Sequence, residues 1–218
     1  MMTPTSIQRI LRRRSFAMLT LTAALVVSIS PSRLVAPAWA DDPMSVVRTT
    51  VNQALDVLRD NQTPLAQRQD KLRQIVASTF DFTEMAKSAL GYHWNQITPA
   101  QQQEFTNAFI AFIEDSYLSK INDYRGQVVN FLRVTNDGAQ YQVATDIVQP
   151  KGDAIHVNYR LVQEGGTWKI YDVTVDAISI IANYRNQFNR VMNSKGYDTL
   201  IADLKAKQAA LAASLANH

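Results

Sequence analysis

The residues of this chain best placed to do chemistry are Asp172 and Asp176, in the stretch Trp168–Phe188, WKIYDVTVDAISIIANYRNQF. An interior aspartate beside an apolar ligand can act as a general base and take a proton from carbon, as in ketosteroid isomerases. One reading is therefore a small apolar-ligand isomerase or hydrolase using Asp172 or Asp176. Both residues also have structural uses. Asp176 stands where a strand pattern gives way to a helix pattern, the place of an N-cap. Asp172 alternates with Tyr171 and Val173, as a polar residue does on a strand with one wet face. Other chemistry has less support. His93, His156 and His218 form no H-x-x-x-H or H-x-E pair, so no metal site is expected. The absence of cysteine excludes disulfides, thiolate nucleophiles, Cys-ligated metals and a lipid anchor on Cys. No serine sits in G-x-S-x-G, and the seven glycines form no phosphate loop. We assign no catalytic residue and no cofactor.

The elements that must hold these residues follow from periodicity. Trp168–Val175 is rich in aromatic and β-branched residues and reads as a strand after the Gly165-Gly166 turn. Ala177, Ile181, Tyr184, Phe188 and Val191 then give one helix face, with a helical backbone expected at Ala177. Upstream, Asp42-Pro43 and Thr63-Pro64 open helices. Asp81 and Glu84 have capping-box spacing, with Phe80 and Met85 as a hydrophobic staple, and Gly91 closes that helix. Thr98–Gln101 is a second capping box, opening a helix with Phe105, Phe109, Phe112, Ile113, Tyr117 and Ile121 on one face. Four strands follow, Gln127–Val134, Ala139–Gln149, Ala154–Gln163 and Thr167–Val175. Their short turns imply an antiparallel meander. Tyr141, Val143, Thr145 and Ile147 share a face of the second strand; Ile155, Val157, Tyr159 and Leu161 share a face of the third. Gly196 stops the helix after Asp176, and Asp198 caps a last helix carrying Ile201, Leu204, Leu211 and Leu215. The fold class is α+β: a four-stranded antiparallel sheet with helices packed on one apolar face.

The first 40 residues stand apart. Arg9, Arg12, Arg13 and Arg14 precede a 13-residue apolar run, Ala17–Ile29, and Ala38-Trp39-Ala40 is an A-x-A site. These features read as a secretory signal peptide over 1–40, leaving 41–218 as one domain. The run is too short for a membrane span, which needs about 20 apolar residues. Arg13-Arg14-Ser15-Phe16 faintly echoes a twin-arginine signal; with no cofactor to load, the general secretory route is favoured. The segment also holds five arginines and no acid. Without it, 17 of the 22 basic residues face 19 acidic ones, a net charge of −2 rather than +3. The basic balance thus belongs to the signal, and nothing argues for nucleic-acid binding.

Two patches resemble a known family. Trp168, Lys169, Tyr171, Asp172, Val173, Val175, Ile178, Ser179, Asn183, Tyr184, Arg185, Gln187 and Phe188 match the pattern W-K-V-Y-D-V-x-V-x-G-[IV]-S-L-x-x-N-Y-R-x-Q-F. Phe80–Trp94, FDFTEMAKSALGYHW, matches F-D-F-x-x-M-x-x-x-A-L-G-x-x-W. Both are similar to the periplasmic phospholipid-binding proteins of the Mla (maintenance of lipid asymmetry) pathway. That group is also the toluene-tolerance (Ttg2-type) substrate-binding family of ABC transport systems. Ala177 departs from the family's usual Gly. The reading of the chain as a non-enzyme rests on this resemblance. It implies a phospholipid carrier in the periplasm of a Gram-negative bacterium, with an apolar lipid cavity between sheet and helices. The expected cavity wall is Phe82, Met85, Phe105, Phe109, Phe112, Val143, Ile147, Val157, Tyr159, Val173, Val175, Ile178 and Ile181. Tyr184 and Arg185 are expected at the head-group rim. The implied partners are phospholipid, an inner-membrane ABC transporter complex and an outer-membrane lipoprotein complex, served by a monomer.

Overall fold

A computed structural model describes residues 42–118, 124–138 and 140–216. The signal segment, its A-x-A site, Ile121, Ala139 and His218 lie outside the described residues. Six α-helices and five strands are found among the described residues, in the order α1 (Pro43–Arg59), α2 (Leu65–Thr79), α3 (Phe82–Leu90), α4 (Pro99–Leu118), β1 (Val128–Asp137), β2 (Gln140–Val148), β3 (Ile155–Glu164), β4 (Thr167–Val175), β5 (Ile178–Ser179), α5 (Ile180–Lys195) and α6 (Tyr197–Ala216). A 3₁₀ segment, Gly91–Gln96, joins α3 towards α4. No helix of the described residues is long and apolar enough to cross a membrane.

The starts of α3 and α4 obey their local signals. Asp81 accepts a bond from the Glu84 N–H at 2.8 Å. In α4 the box closes both ways: the Thr98 N–H donates to Gln101 Oε1 at 2.9 Å, and the Gln101 N–H donates to Thr98 Oγ1 at 3.3 Å. At α2 the hydroxyl of Thr63 turns instead to Asp60, and Pro64 takes the N-cap position without a side-chain bond. Asp198 lies in the first turn of α6 rather than capping it, since that helix already begins at Tyr197.

The sheet is an antiparallel meander in the order β1-β2-β3-β4-β5, the expected four strands plus a two-residue edge. Its registers put Val143 beside Tyr159 and Thr145 beside Val157, so the apolar faces of β2 and β3 coincide. A bulge opposite Arg160 and Leu161 adds one residue to β4. Ile170, Tyr171 and Asp172 are consequently buried in succession, where strict alternation would have exposed one face. One half of the apolar face is sealed by α1, with Val47 among Val143, Leu161 and Ile170. A second core lies among the helices, where Phe105, Phe109, Phe112 and Phe188 meet Leu90, Ile181 and Leu204.

Candidate ligand cavity

Beside these two cores lies a cavity of about 350 Å³. The sheet contributes Ile147 from β2, Val157 from β3, and Val173 and Val175 from β4. Opposite them stand Leu72, Arg73 and Val76 of α2, Phe82 and Met85 of α3, and Ile113, Glu114, Tyr117 and Leu118 of α4. Phe80, before α3, and Ile180, at the start of α5, complete the lining. The wall is almost wholly hydrocarbon, so it can take an aliphatic ligand but offers little to orient a polar one.

Its charged edge is compensated within the protein. Arg73 donates to Asp115 at 3.1 Å and to Asp70 at 3.2 Å, and comes within 3.9 Å of Glu114. Gln208 donates to the second oxygen of Asp115 at 2.8 Å. Burial pushes the Glu114 carboxyl up against the opposing pull of Arg73. Burial likewise raises the Tyr117 phenol to about 12, so it stays neutral. Tyr117 is nevertheless 48% exposed, which places it where the cavity meets solvent.

Of the expected wall, Phe82, Met85, Ile147, Val157, Val173 and Val175 are in the lining. Phe105, Phe109, Phe112 and Ile181 lie in the helical core, Val143 lies under α1, and Tyr159 packs beside Val143. Ile178 is 66% exposed on β5. Tyr184 stands edge-on to Phe109 and Phe112, with ring centroids 5.7 and 5.4 Å away. Arg185 is exposed and donates through Nε to the Ser88 carbonyl at 2.6 Å, fastening α5 to α3. Its stem also lies against Gly91, 3.6 Å from where a Cβ would stand. The lining residues not anticipated were Leu72, Arg73, Val76, Phe80, Ile113, Glu114, Tyr117, Leu118 and Ile180. The i, i+4 pairs Leu72–Val76 and Ile113–Tyr117 were the available signal, since each marks one stripe of a helix.

The two aspartates exchange their expected parts. Asp172 is only 2% exposed. Its Oδ2 accepts from Ser179 Oγ at 2.6 Å and its Oδ1 from the Ile181 N–H at 3.2 Å. Arg160 stands 3.8 Å away. Ser179 is the N-cap of α5, accepting from the Ala182 N–H at 2.9 Å. Asp172 therefore holds the helix start from beneath, with both oxygens engaged. Asp176 is not the cap. It exchanges bonds with the backbone of His156, at 2.9 and 3.0 Å, and pins the turn after β4 to β3. That turn is left-handed at two residues, with φ of 44° at Asp176 and 67° at Ala177. The helical backbone expected at Ala177 is thus overturned. The two-residue reversal into β5 requires the left-handed region, which costs an L-residue about 1–2 kcal/mol. Among the described residues no three His, Asp or Glu side chains gather as a metal site.

The MlaC protein family model matches residues 48–206. Over 172 residues the chain is 22% identical to the intermembrane phospholipid transport system binding protein MlaC of Haemophilus influenzae, covering 75% of this chain and 80% of that one. Over 165 residues it is 27% identical to the toluene tolerance protein ttg2D of Pseudomonas putida, covering 73% and 77% respectively. A phospholipid-binding protein from Ralstonia solanacearum, solved in complex with a phospholipid, superposes with a TM-score of 0.71. That match is 24% identical and covers 78% of this chain and 99% of the other, which fixes the shared fold.

Proposed function

The chain belongs to the MlaC protein family, and from that premise we propose that it is a carrier of phospholipid, the soluble binding component of an intermembrane transport system. The observation that carries this reading is the hydrocarbon-lined cavity between the sheet and α2–α4. A methylene occupies about the volume of a liquid water, roughly 30 Å³. A cavity of about 350 Å³ therefore takes most of one acyl chain. The reading is a carrier and not an enzyme. In support, both oxygens of the buried Asp172 are already engaged in holding a helix.

Reversible carriage is physically reasonable despite the size of the ligand. Two acyl chains bring about 30 methylenes, worth roughly 24 kcal/mol against water at about 0.8 each. Affinities saturate near 18–21 kcal/mol. The relevant reference, however, is the bilayer from which the lipid comes. A cavity that matches hydrocarbon leaves transfer of the chain it encloses near zero, and docking of a partner can tip it either way. In this account residues 1–40 direct export to the periplasm and are removed after Ala40. The monomeric carrier then passes lipid between an outer-membrane lipoprotein complex and an inner-membrane ABC transporter complex. Tyr184 and Arg185 of α5, outside the lining itself, are the proposed neighbours of the head group.

Organic extraction of the purified protein followed by mass spectrometry tests this reading. Phospholipid in near-stoichiometric amount supports it; a sterol-like molecule, or no lipid at all, contradicts it.

A further inference from the structure

The lipid cavity shares two residues with a neighbouring cleft. This cleft, of about 630 Å³, lies between α2, α4 and α6. Arg73 and Glu114 line both spaces. With Asp115 they are the only charged residues in either lining. Gln69 and Gln208 are the other polar residues of the cleft.

The charges here are unevenly met. Arg73 makes its short contacts with Asp115 at 3.1 Å and Asp70 at 3.2 Å. Gln208 donates to the other oxygen of Asp115 at 2.8 Å. Glu114 is left with the Arg73 Nε at 3.9 Å, beyond hydrogen-bond length. Its side chain is only 17% exposed, a setting in which a carboxylate ordinarily accepts hydrogen bonds. With none to offset the desolvation, burial outweighs Arg73 and raises the carboxyl. One guanidinium thus stands among three carboxylates, and the carboxylate that lines both spaces lacks a close donor. Gln69, one turn from Arg73 on α2, is the opposite case. It is 8% exposed, and its Nε2 has no acceptor among the described residues. An unmet acceptor and an unmet donor therefore adjoin a hydrocarbon chamber. The ligand that fits carries an aliphatic chain, a cationic N–H donor and an oxygen acceptor.

We propose that Glu114 makes this carrier selective for aminophospholipids, accepting a hydrogen bond from the primary ammonium of a phosphatidylethanolamine whose acyl chain lies in the cavity. The proposal rests on the carrier reading and adds the head-group class to it. Gln69 offers its N–H to an oxygen of the same lipid. Phosphatidylglycerol brings a net negative charge to a place where carboxylates already outnumber the cation, and like charges are disfavoured there. The trimethylammonium of phosphatidylcholine has no N–H to donate.

The test incubates the exported protein with vesicles of equal deuterated phosphatidylethanolamine and phosphatidylglycerol, then weighs the extracted lipids by mass spectrometry. Phosphatidylethanolamine should be recovered about tenfold over phosphatidylglycerol, the worth of one charge-assisted hydrogen bond. Glu114→Gln should abolish that preference, and Glu164→Gln, on the exposed end of β3, should keep it. A second arm replaces phosphatidylglycerol with phosphatidylcholine, and phosphatidylethanolamine should again be preferred. That arm needs only the wild-type protein, so it decides the matter should Glu114→Gln fail to fold. Equal uptake in either arm, or a folded Glu114→Gln protein that keeps the preference, overturns the proposal while leaving the carrier reading intact. Uptake of no deuterated lipid at all contradicts the carrier reading itself.

Discussion

Two apolar regions of this molecule use the same residue types and end in opposite states. Between α3, α4 and α5, the rings of Phe105, Phe109, Tyr184 and Phe188 stack or meet edge-on with centroids 5.5–5.7 Å apart. They fill their own space. A turn further along α4, Ile113 and Tyr117 face Val157, Val173 and Val175 across a cavity of about 350 Å³. The difference lies in what stands opposite. Helix against helix brings long aromatic side chains together. Helix against sheet sets them over valines whose short side chains cannot reach across. A wall and a core thus share a composition, and only the facing element separates them.

The largest effects should fall on the filled side. Phe109→Ala should cost about 3–5 kcal/mol in denaturant unfolding, because it opens a hole in a closed ring cluster. Phe82→Ala merely widens an existing space and should cost less than half as much. Equal costs would erase the distinction between the regions. Val143→Arg belongs with the first class. Val143 is fully buried under α1, and an unpaired charge there should prevent folding, as circular dichroism would report.

Asp172→Ala comes next. It strips the Ile181 N–H and the Ser179 hydroxyl of their acceptor, at about 1–3 kcal/mol, while bound lipid should persist. A normally folded Asp172→Asn that lost function would revive the enzymatic reading. Ala177→Gly is smaller and of opposite sign. With φ at 67°, relief of the left-handed strain should raise stability by up to about 1 kcal/mol, read as a higher melting temperature.

The smallest effect is electrostatic. A hydrogen bond to Asp146, and the charge of that carboxylate, hold the exposed His156 above its ordinary value of 6.5. The pair's stabilisation is fully present below pH 6.5 and lost as pH rises through the raised folded value. Asp146→Asn should flatten that slope in a pH series of thermal unfolding.

The order and type of the helices and strands were legible because each rests on local signals: the capping boxes at Asp81 and Thr98, the glycine turns and the alternation of β3. The site was legible only in part. The sheet wall of Ile147, Val157, Val173 and Val175 follows from period-two patterning. Beyond Phe82 and Met85 the helix wall does not, because Phe105 and Phe109 carry a stronger apolar signal than Leu72 or Val76 yet point into the helical core. The junction after β4 was misjudged for a related reason. The bulge opposite Arg160 reverses which side of the strand is wet, and Asp172 is thereby buried beneath α5 while Asp176 is left to the turn. No local pattern announces a bulge that a partner strand imposes.

The central claim is that the space facing Val175 is where acyl chains lie. It is tested most directly by the phospholipid-to-protein ratio of purified Val175→Arg, with Asn158→Arg as the matched control. Val175 lines the cavity but is only partly buried, so an arginine stem can follow the wall with its head in water. The account predicts a folded Val175→Arg protein carrying little phospholipid beside a control that keeps its full complement. A folded Val175→Arg protein that retains as much lipid as Asn158→Arg would contradict it.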